Sequence, residues 1–170
     1  MTDYMYIGLT VTGPVDEVTR FREAVRGRNE TGEEIIIDFS RLIPIPKEVM
    51  DPFTPQIQTD DPQASYSPSW VERNWGASSN ALYTEILDDK DGMFSVQFDT
   101  PWDFPYPIIE KMVSSFPNLV FEGSAFDNVD HFYMTFGGRN GEFSWQEGDY
   151  AQAFGVDEDD EPAALGNAAA

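Results

Sequence analysis

Carboxylates are the side chains whose number and spacing could support chemistry in this sequence. Asp99 and Asp103 lie in the proline-rich stretch FDTPWDFPYP, with Glu110 a short distance beyond. Carboxylate oxygens gathered at one end of a sheet can bind a divalent cation, so a metal-dependent enzyme is one hypothesis. The same aspartates could instead cap backbone groups, Asp99 at the turn and Asp103 at the start of the following helix. Capping is the interpretation that we favour.

Other catalytic groups are scarce. The chain has no cysteine and one histidine, so a thiol nucleophile and a multi-histidine metal site within one chain are excluded. His131 beside Asp130 could act as a base, although a surface histidine is the commoner case. The glycine-rich run 137–141 follows a strand but opens no helix, which argues against a phosphate-binding loop. The sequence therefore predicts a non-enzymatic protein with no cofactor and no metal.

The charge balance is extreme. Thirty-one acids against ten bases give a formal net charge of −21. Residues 1–28 are balanced, and the excess of acids is spread over the remaining three quarters of the chain. Such a field repels nucleic acid and anionic membrane and attracts basic proteins. An acidic surface that serves only solubility is the alternative.

Two sets of residues are candidates for binding a partner. The first consists of acids on predicted hairpins and loops, which can project without disturbing a core: Asp88, Asp89, Asp91, Asp127, Asp130, Glu142, Glu147 and Asp149. The second consists of tryptophans beside proline, glycine or asparagine: Trp70, Trp75 and Trp102. These rings could anchor a protein interface, or they could close an irregular segment onto the domain.

The elements that would position these residues centre on residues 94–126. Phe94, Val96 and Phe98 alternate as in a strand, and an apolar stripe over 107–116 predicts a helix before the next strand. We predict strands at 5–12, 81–87, 94–99 and 119–126, helices at 15–28 and 107–116, and a final hairpin of 132–136 and 142–146. The predicted core is Leu9, Val11, Val18, Phe21, Val25, Leu82, Ile86, Val96, Phe98, Ile109, Met112, Val113 and Phe116.

This order predicts an α+β fold, a ferredoxin-like split βαβ sandwich with two helices on one face of an antiparallel sheet. The domain is expected to span 1–150, with an irregular insertion at about 40–80 and an extra C-terminal hairpin. Residues 151–170 are expected to be an acidic, disordered tail. No basic-then-apolar leader and no bilayer-length apolar run are present, so we expect a protein of the cytoplasm.

Several blocks of the sequence are similar to a known family. IDFSRLIPIPKEVMD, WVERNWG and FSVQFDTPWDFPYPIIEKMVSSFPNLVFE, together with LTVTGPVDEVTRF, resemble the YubB-type ferredoxin-like family of phages and conjugative plasmids. The resemblance covers roughly residues 5–145 and implies a ferredoxin-like domain of mobile-element origin. It implies no activity and no catalytic residue. Ser78 and Ser79 stand where the family usually has a lysine and a tryptophan.

Charge and resemblance together lead to one expectation about function. We expect an acidic binding protein of a mobile element, in the host cytoplasm, that inhibits or decoys a basic, nucleic-acid-binding host defence protein. Direct binding of nucleic acid or membrane is not expected. The alternatives are a phage or plasmid accessory or structural protein that is acidic for solubility alone, and the metal-dependent enzyme. A decoy requires its carboxylates on one elongated face, whereas solubility requires only an even spread.

Overall fold

A six-stranded antiparallel sheet organises the molecule. The structure, a computed structural model, describes residues 3–50 and 69–155. The strands are β1 (Tyr4–Thr12), β2 (Gly27–Arg28), β3 (Glu34–Ile35), β4 (Leu82–Lys90), β5 (Met93–Pro101), β6 (Val120–Asp127), β7 (Phe132–Arg139) and β8 (Glu142–Glu147). The helices are α1 (Val15–Val25), α2 (Phe39–Leu42), α3 (Lys47–Met50), α4 (Trp70–Trp75), α5 (Tyr106–Ser115) and α6 (Tyr150–Phe154).

The central strand is β1. The large sheet has the order β4-β5-β1-β6-β7-β8, and β2 and β3 form a separate two-stranded ribbon. Both β5 and β6 pair with β1 in the antiparallel sense, so they run parallel to each other with β1 between them. The predicted strand, crossover helix and strand over residues 94–126 are therefore confirmed as one unit of one sheet.

The core lies between one face of the sheet and the helices. Alternate residues of β1 (Met5, Ile7, Leu9 and Val11) are buried, as period-two alternation requires. Phe21 of α1 contacts the rings of Phe94, Phe116 and Phe121 at centroid distances of 6.3, 5.3 and 5.5 Å. The apolar stripe of α5 (Ile108, Ile109, Met112 and Val113) is also buried. Helices α1 and α5 thus form a layer on one face, as the sequence predicts.

The insertion between α1 and β4 is fastened at both ends. The buried carboxylate of Asp38 accepts hydrogen bonds from the Ser40 amide and hydroxyl at 3.1 and 2.7 Å. It also accepts one from Asn80 Nδ2 at 2.9 Å, while Asn80 Oδ1 accepts from the Phe39 amide at 2.9 Å. This Asp38–Asn80 contact joins the residue before α2 to the residue near the start of β4, so the insertion leaves and rejoins the domain at one point.

Two predictions about the core are wrong, and both concern β4. Ile86 is 41% exposed and Leu82 is only partly buried, whereas both were expected inside. The strand is an edge of the sheet, and its pairing with β5 shifts register twice, between Leu82 and Glu85 and between Ile86 and Asp88. The first shift leaves Leu82 opposite Asp99, on the face away from the helices, whereas Ile86 lies opposite the buried Val96 and is exposed because β4 is the edge strand.

The first residues of the predicted tail, 151–154, belong to a helix. Residues Tyr150–Phe154 form α6, capped by Asp149, whose carboxylate accepts the Gln152 amide at 3.0 Å. The ring of Phe154 packs on Phe126 at 4.7 Å, on the face of the sheet opposite α1 and α5. The rest of the predicted tail, from residue 156, lies outside the described residues. Helix α1 also ends at Val25 rather than at 28, because the chain extends at Arg26 and enters β2.

No helix within residues 3–50 and 69–155 is both long enough and apolar enough to cross a membrane.

Candidate binding face

The hairpin and loop acids predicted to bind a partner do not form one patch. Asp88, Asp89, Asp91 and Glu142 lie at the end of the sheet where β1 finishes. Asp127, Asp130, Glu147 and Asp149 lie at the opposite end, where β1 begins. Even Glu142 and Glu147, which lie at the two ends of β8, are separated by roughly 17 Å of strand. The structure therefore does not bring the eight carboxylates together.

Several of these acids already form ion pairs or hydrogen bonds within the protein. Arg22 forms an ion pair with Asp89 at 2.9 Å, and Lys90 forms one with Asp88 at 3.2 Å. Asp127 is buried, with 6% of its surface exposed, and its carboxylate accepts the Val129 amide at 2.6 Å. The expectation that the loop carboxylates all project into solvent is therefore wrong for Asp127. Asp91, Asp130, Glu142, Glu147 and Asp149 are exposed.

The three tryptophans have different environments. Trp75 is buried; its ring contacts Phe39 at 5.7 Å, and its Nε1 donates to the Ile43 carbonyl oxygen at 2.9 Å. Trp70 is half-buried and packs edge-on against Trp75 at 6.4 Å. These two rings close the insertion onto the domain. Trp102 differs, because it is 53% exposed and has a φ of 64°, and it remains a candidate interface residue.

The proposed metal ligands lie in different surroundings. Asp99 belongs to β5 and lines a hollow on the sheet, whereas Asp103 lies beyond the strand, near Glu72. Burial and then the negative charge of Glu72 raise the pKa of Asp103. In the part of the chain that the structure describes, no group of three or more histidine, aspartate or glutamate side chains could hold a metal ion.

The face of the sheet opposite α1 and α5 carries a further group of polar side chains, and we call it the polar face. Along β1 it carries Tyr6, Gly8 and Thr10, which alternate with the buried residues. Register places Asp99 and Phe126 on either side of Tyr6, and Gln97 and Ser124 on either side of Gly8. The ring of Tyr6 stacks on that of Phe126 at 5.0 Å.

A hollow of about 460 Å³ opens at the centre of this face. We call it the Gly8 pocket; its walls are Tyr6, Ile7, Gly8, Tyr83, Glu85, Gln97, Asp99, Ser124 and Phe126. Two carboxylates and three aromatic rings thus surround one space. Gln97 Nε2 donates to Glu85 Oε2 at 2.9 Å, which fixes that carboxylate beside the pocket.

Gly8 creates the pocket because it lacks a side chain. A Cβ atom at this position would meet nothing within 4 Å, and the residue has no positive φ. Gly123 on the neighbouring strand is different, because a Cβ there would collide with the ring of Phe136 and the carbonyl oxygen of Gly8. Neither packing nor backbone geometry within the described residues therefore requires glycine at position 8.

Tyr83 reaches the pocket through a distortion of β4. It has a φ of 51°, which is strained for a bulky side chain, and it lies at the first register shift of the strand. The side chain is 71% exposed, and its ring meets Tyr4 edge-on at 5.8 Å. A large aromatic ring is thereby held in solvent beside Asp99.

Asp99 is partly removed from water, and no lysine or arginine among the described residues forms an ion pair with it. Burial raises the pKa of its carboxyl group above the ordinary value of 3.8. Among the described residues the four ion pairs involve other acids, and no side chain donates a hydrogen bond to this carboxylate. The charge of Asp99 is therefore available to a positively charged group that enters the pocket.

The bases of the chain lie elsewhere. All ten are within the described residues, and none lines the Gly8 pocket. Eight lie in the helices or in the connection that follows α1: Arg20, Arg22, Arg26, Arg28, Arg41, Lys47, Arg73 and Lys111. Lys90 and Arg139 lie at the tips of the two long hairpins. The centre of the polar face is consequently acidic and aromatic.

Sequence reasoning missed most of this site. It considered Asp99 as a turn cap or a metal ligand, not as part of a binding pocket, and it did not select Tyr6, Gly8, Tyr83 or Glu85. One signal was present: Gly8 interrupts an otherwise regular strand, and a glycine in a strand interior often marks close approach of another group. The register that gathers the remaining residues depends on pairing with distant strands.

Comparison of the chain with protein-family models, curated proteins and solved structures finds no match in any of the three.

Proposed function

We propose that this protein is a non-enzymatic, acidic binding protein whose partner is a basic, nucleic-acid-handling protein of the host. The observation that carries the proposal is that acids, and none of the ten bases, lie at the centre of the polar face. All ten bases lie on the helical side or at hairpin tips, whereas Glu85, Asp99 and Glu122 lie on the polar face. An acidic face with aromatic rings is complementary to lysine- and arginine-rich surfaces.

The same electrostatics indicate what kind of partner would bind. A basic groove that holds nucleic acid would attract this protein and steer it during association, and its occupation would block the groove. Decoying a defence protein in this way accords with the proposed origin in a phage or plasmid. The distribution of the hairpin acids over two ends argues against phosphate-like spacing along one edge, so we centre the proposal on the polar face.

We also propose that the fold is ferredoxin-like and that the chain is related to the YubB-type family. The strand order β4-β5-β1-β6 supports the first part, because β1 and β4 are parallel with β5 between them, as β5 and β6 are with β1 between them. We interpret this arrangement as the double split βαβ pattern. The relation to the family rests on the sequence blocks quoted above.

The test is binding to basic host proteins at low and moderate salt, followed by competition with DNA for each protein captured. The informative variant neutralises the polar face: Glu85→Gln, Asp99→Asn and Glu122→Gln. A matched control removes the same charge from the helical side through exposed residues: Asp16→Asn, Glu23→Gln and Glu110→Gln. We expect roughly tenfold or greater weakening with the first variant and a much smaller change with the second.

Equal weakening by the two variants would mean that net charge alone determines binding, and it would contradict the proposal for this face. Capture of no basic nucleic-acid-binding protein would favour the accessory or structural protein that is acidic for solubility.

A further inference from the structure

The Gly8 pocket has the features of a site for one side chain of a partner. Its volume, about 460 Å³, lies within the range of ligand sites. Glycine in the interior of a central strand weakens the strand, and none of the described residues occupies the space that it leaves. The strained φ of Tyr83 is a second cost at the same place. Two locally unfavourable features, the glycine and the strained tyrosine, therefore lie at one hollow that the described residues leave open.

The lining determines the chemistry of that occupant. Asp99 and Glu85 supply negative charge, and Tyr6, Tyr83 and Phe126 supply aromatic surface. A flat cation satisfies both requirements, because guanidinium can pair with carboxylates through its edge and stack on rings through its faces. We propose that the Gly8 pocket binds the guanidinium group of an arginine side chain presented by a protein partner.

This assignment rests on the proposed function and gives it a location. The same aromatic positions on a sheet would suit stacking of nucleobases, but two carboxylates in the pocket repel the phosphates that accompany a base. The chain does not supply this cation itself. No base of the described residues lines the pocket, and residues 51–68 and 156–170 contain no lysine or arginine. Charge complementarity therefore selects a basic segment of another protein.

The experiment uses the full-length protein, labelled with ¹⁵N, and capped arginine (N-acetyl-arginine amide) as the probe. Amide resonances are followed during titration, with capped lysine and uridine monophosphate as comparison ligands. We expect arginine to shift the amides of Gly8, Asp99 and Ser124, with weaker binding of lysine, which lacks a planar group. Arginine shifts confined to other surfaces, equal binding of lysine, or uridine monophosphate at these amides would each overturn the assignment.

Variants separate binding from folding. Gly8→Val fills the hollow with a side chain that favours strands and has room at this position, so we expect loss of arginine binding with the fold retained. Asp99→Asn should weaken binding roughly tenfold or more. Glu110→Gln, an exposed change of the same charge on α5, is the control and should have no effect. Undiminished arginine binding by a folded Gly8→Val protein would refute the proposal.

The outcomes also distinguish this inference from the proposed function. If basic partners bind but capped arginine does not enter the pocket, the inference fails and the proposed function remains. If capped arginine binds at Gly8 but no basic protein is captured, the proposed function fails. Shifts at Gly8, Gln97 and Ser124 that depend on protein concentration alone would identify a second copy of this chain as the occupant, and would overturn the assignment of arginine.

Discussion

Replacing Gly8 by alanine should stabilise the protein. Glycine within a strand is less favourable than alanine by about 0.5–1 kcal/mol, mainly because it loses more backbone entropy on folding. The added Cβ atom meets nothing within 4 Å, and φ is not positive, so no steric cost opposes this gain. Since about 1 kcal/mol shifts the midpoint of a domain of this size by roughly 2–4 °C, we expect a rise of about 1–4 °C.

Thermal unfolding followed by calorimetry measures this change, and Gly123→Ala is the matched control on the adjacent strand. A Cβ atom at Gly123 would collide with the ring of Phe136 and the Gly8 carbonyl oxygen, so overpacking should cost about 1–3 kcal/mol. The two alanines should therefore move the midpoint in opposite directions. A Gly8→Ala protein that is less stable than the parent would refute the idea that the pocket is vacant space in the folded chain.

Further predictions concern charge and the C-terminal helix. Asp99→Asn should be more stable than the parent at neutral pH, because burial raises the pKa of Asp99 on folding and so penalises its ionised form; the difference should shrink as the pH falls towards the ordinary value of 3.8, and urea unfolding over that range measures it. Added NaCl should raise the thermal midpoint by screening repulsion among the acids; a flat or falling midpoint would indicate that attractive pairs dominate. Phe154→Ala should cost roughly 1 kcal/mol, a fall of about 2–4 °C, because it removes the ring contacts with Phe126 and Tyr133; an unchanged midpoint would show that α6 does not stabilise the sheet. Deleting residues 157–170 should leave the midpoint within a few degrees, and a collapse would show that this segment stabilises the fold.

The sequence was sufficient to predict the layer of helices and the strands beneath it. Val18, Phe21 and Val25 repeat with helical spacing, and Phe94, Val96 and Phe98 alternate, so local pattern alone determines which side faces the core. The pattern failed at β4, where Leu82 and Ile86 alternate correctly in sequence. The first register shift puts Leu82 opposite Asp99, on the face away from the helices, and Ile86 opposite the buried Val96, where it stays exposed because β4 is the edge strand. Such shifts depend on the partner strand.

The candidate site was harder to predict for the same reason. Asp99, Tyr6 and Phe126 become neighbours only through the register of β5, β1 and β6, which are joined by long connections. For the hairpin acids, the sequence predicted exposure but wrongly suggested that the side chains lie together. Asp89 and Glu142 are on tips that any hairpin prediction would expose, but the strand order sends the two hairpins to opposite edges of the sheet. Local exposure could be predicted, whereas mutual proximity could not.

The contact between Asp38 and Asn80 makes this molecule a natural candidate for division into two polypeptides. A break anywhere between Met50 and Ser69 would yield an N-terminal piece with β1 and α1 and a C-terminal piece with the other five strands of the large sheet. The N-terminal piece supplies the middle strand, so neither half could complete the sheet alone. Association of the two pieces would restore the pairing of β1 with β5 and β6 and the hydrogen bond between Asp38 and Asn80. The fold thus contains the elements of a fragment-complementation reporter, with the division in the insertion and the Gly8 pocket formed only on reassembly.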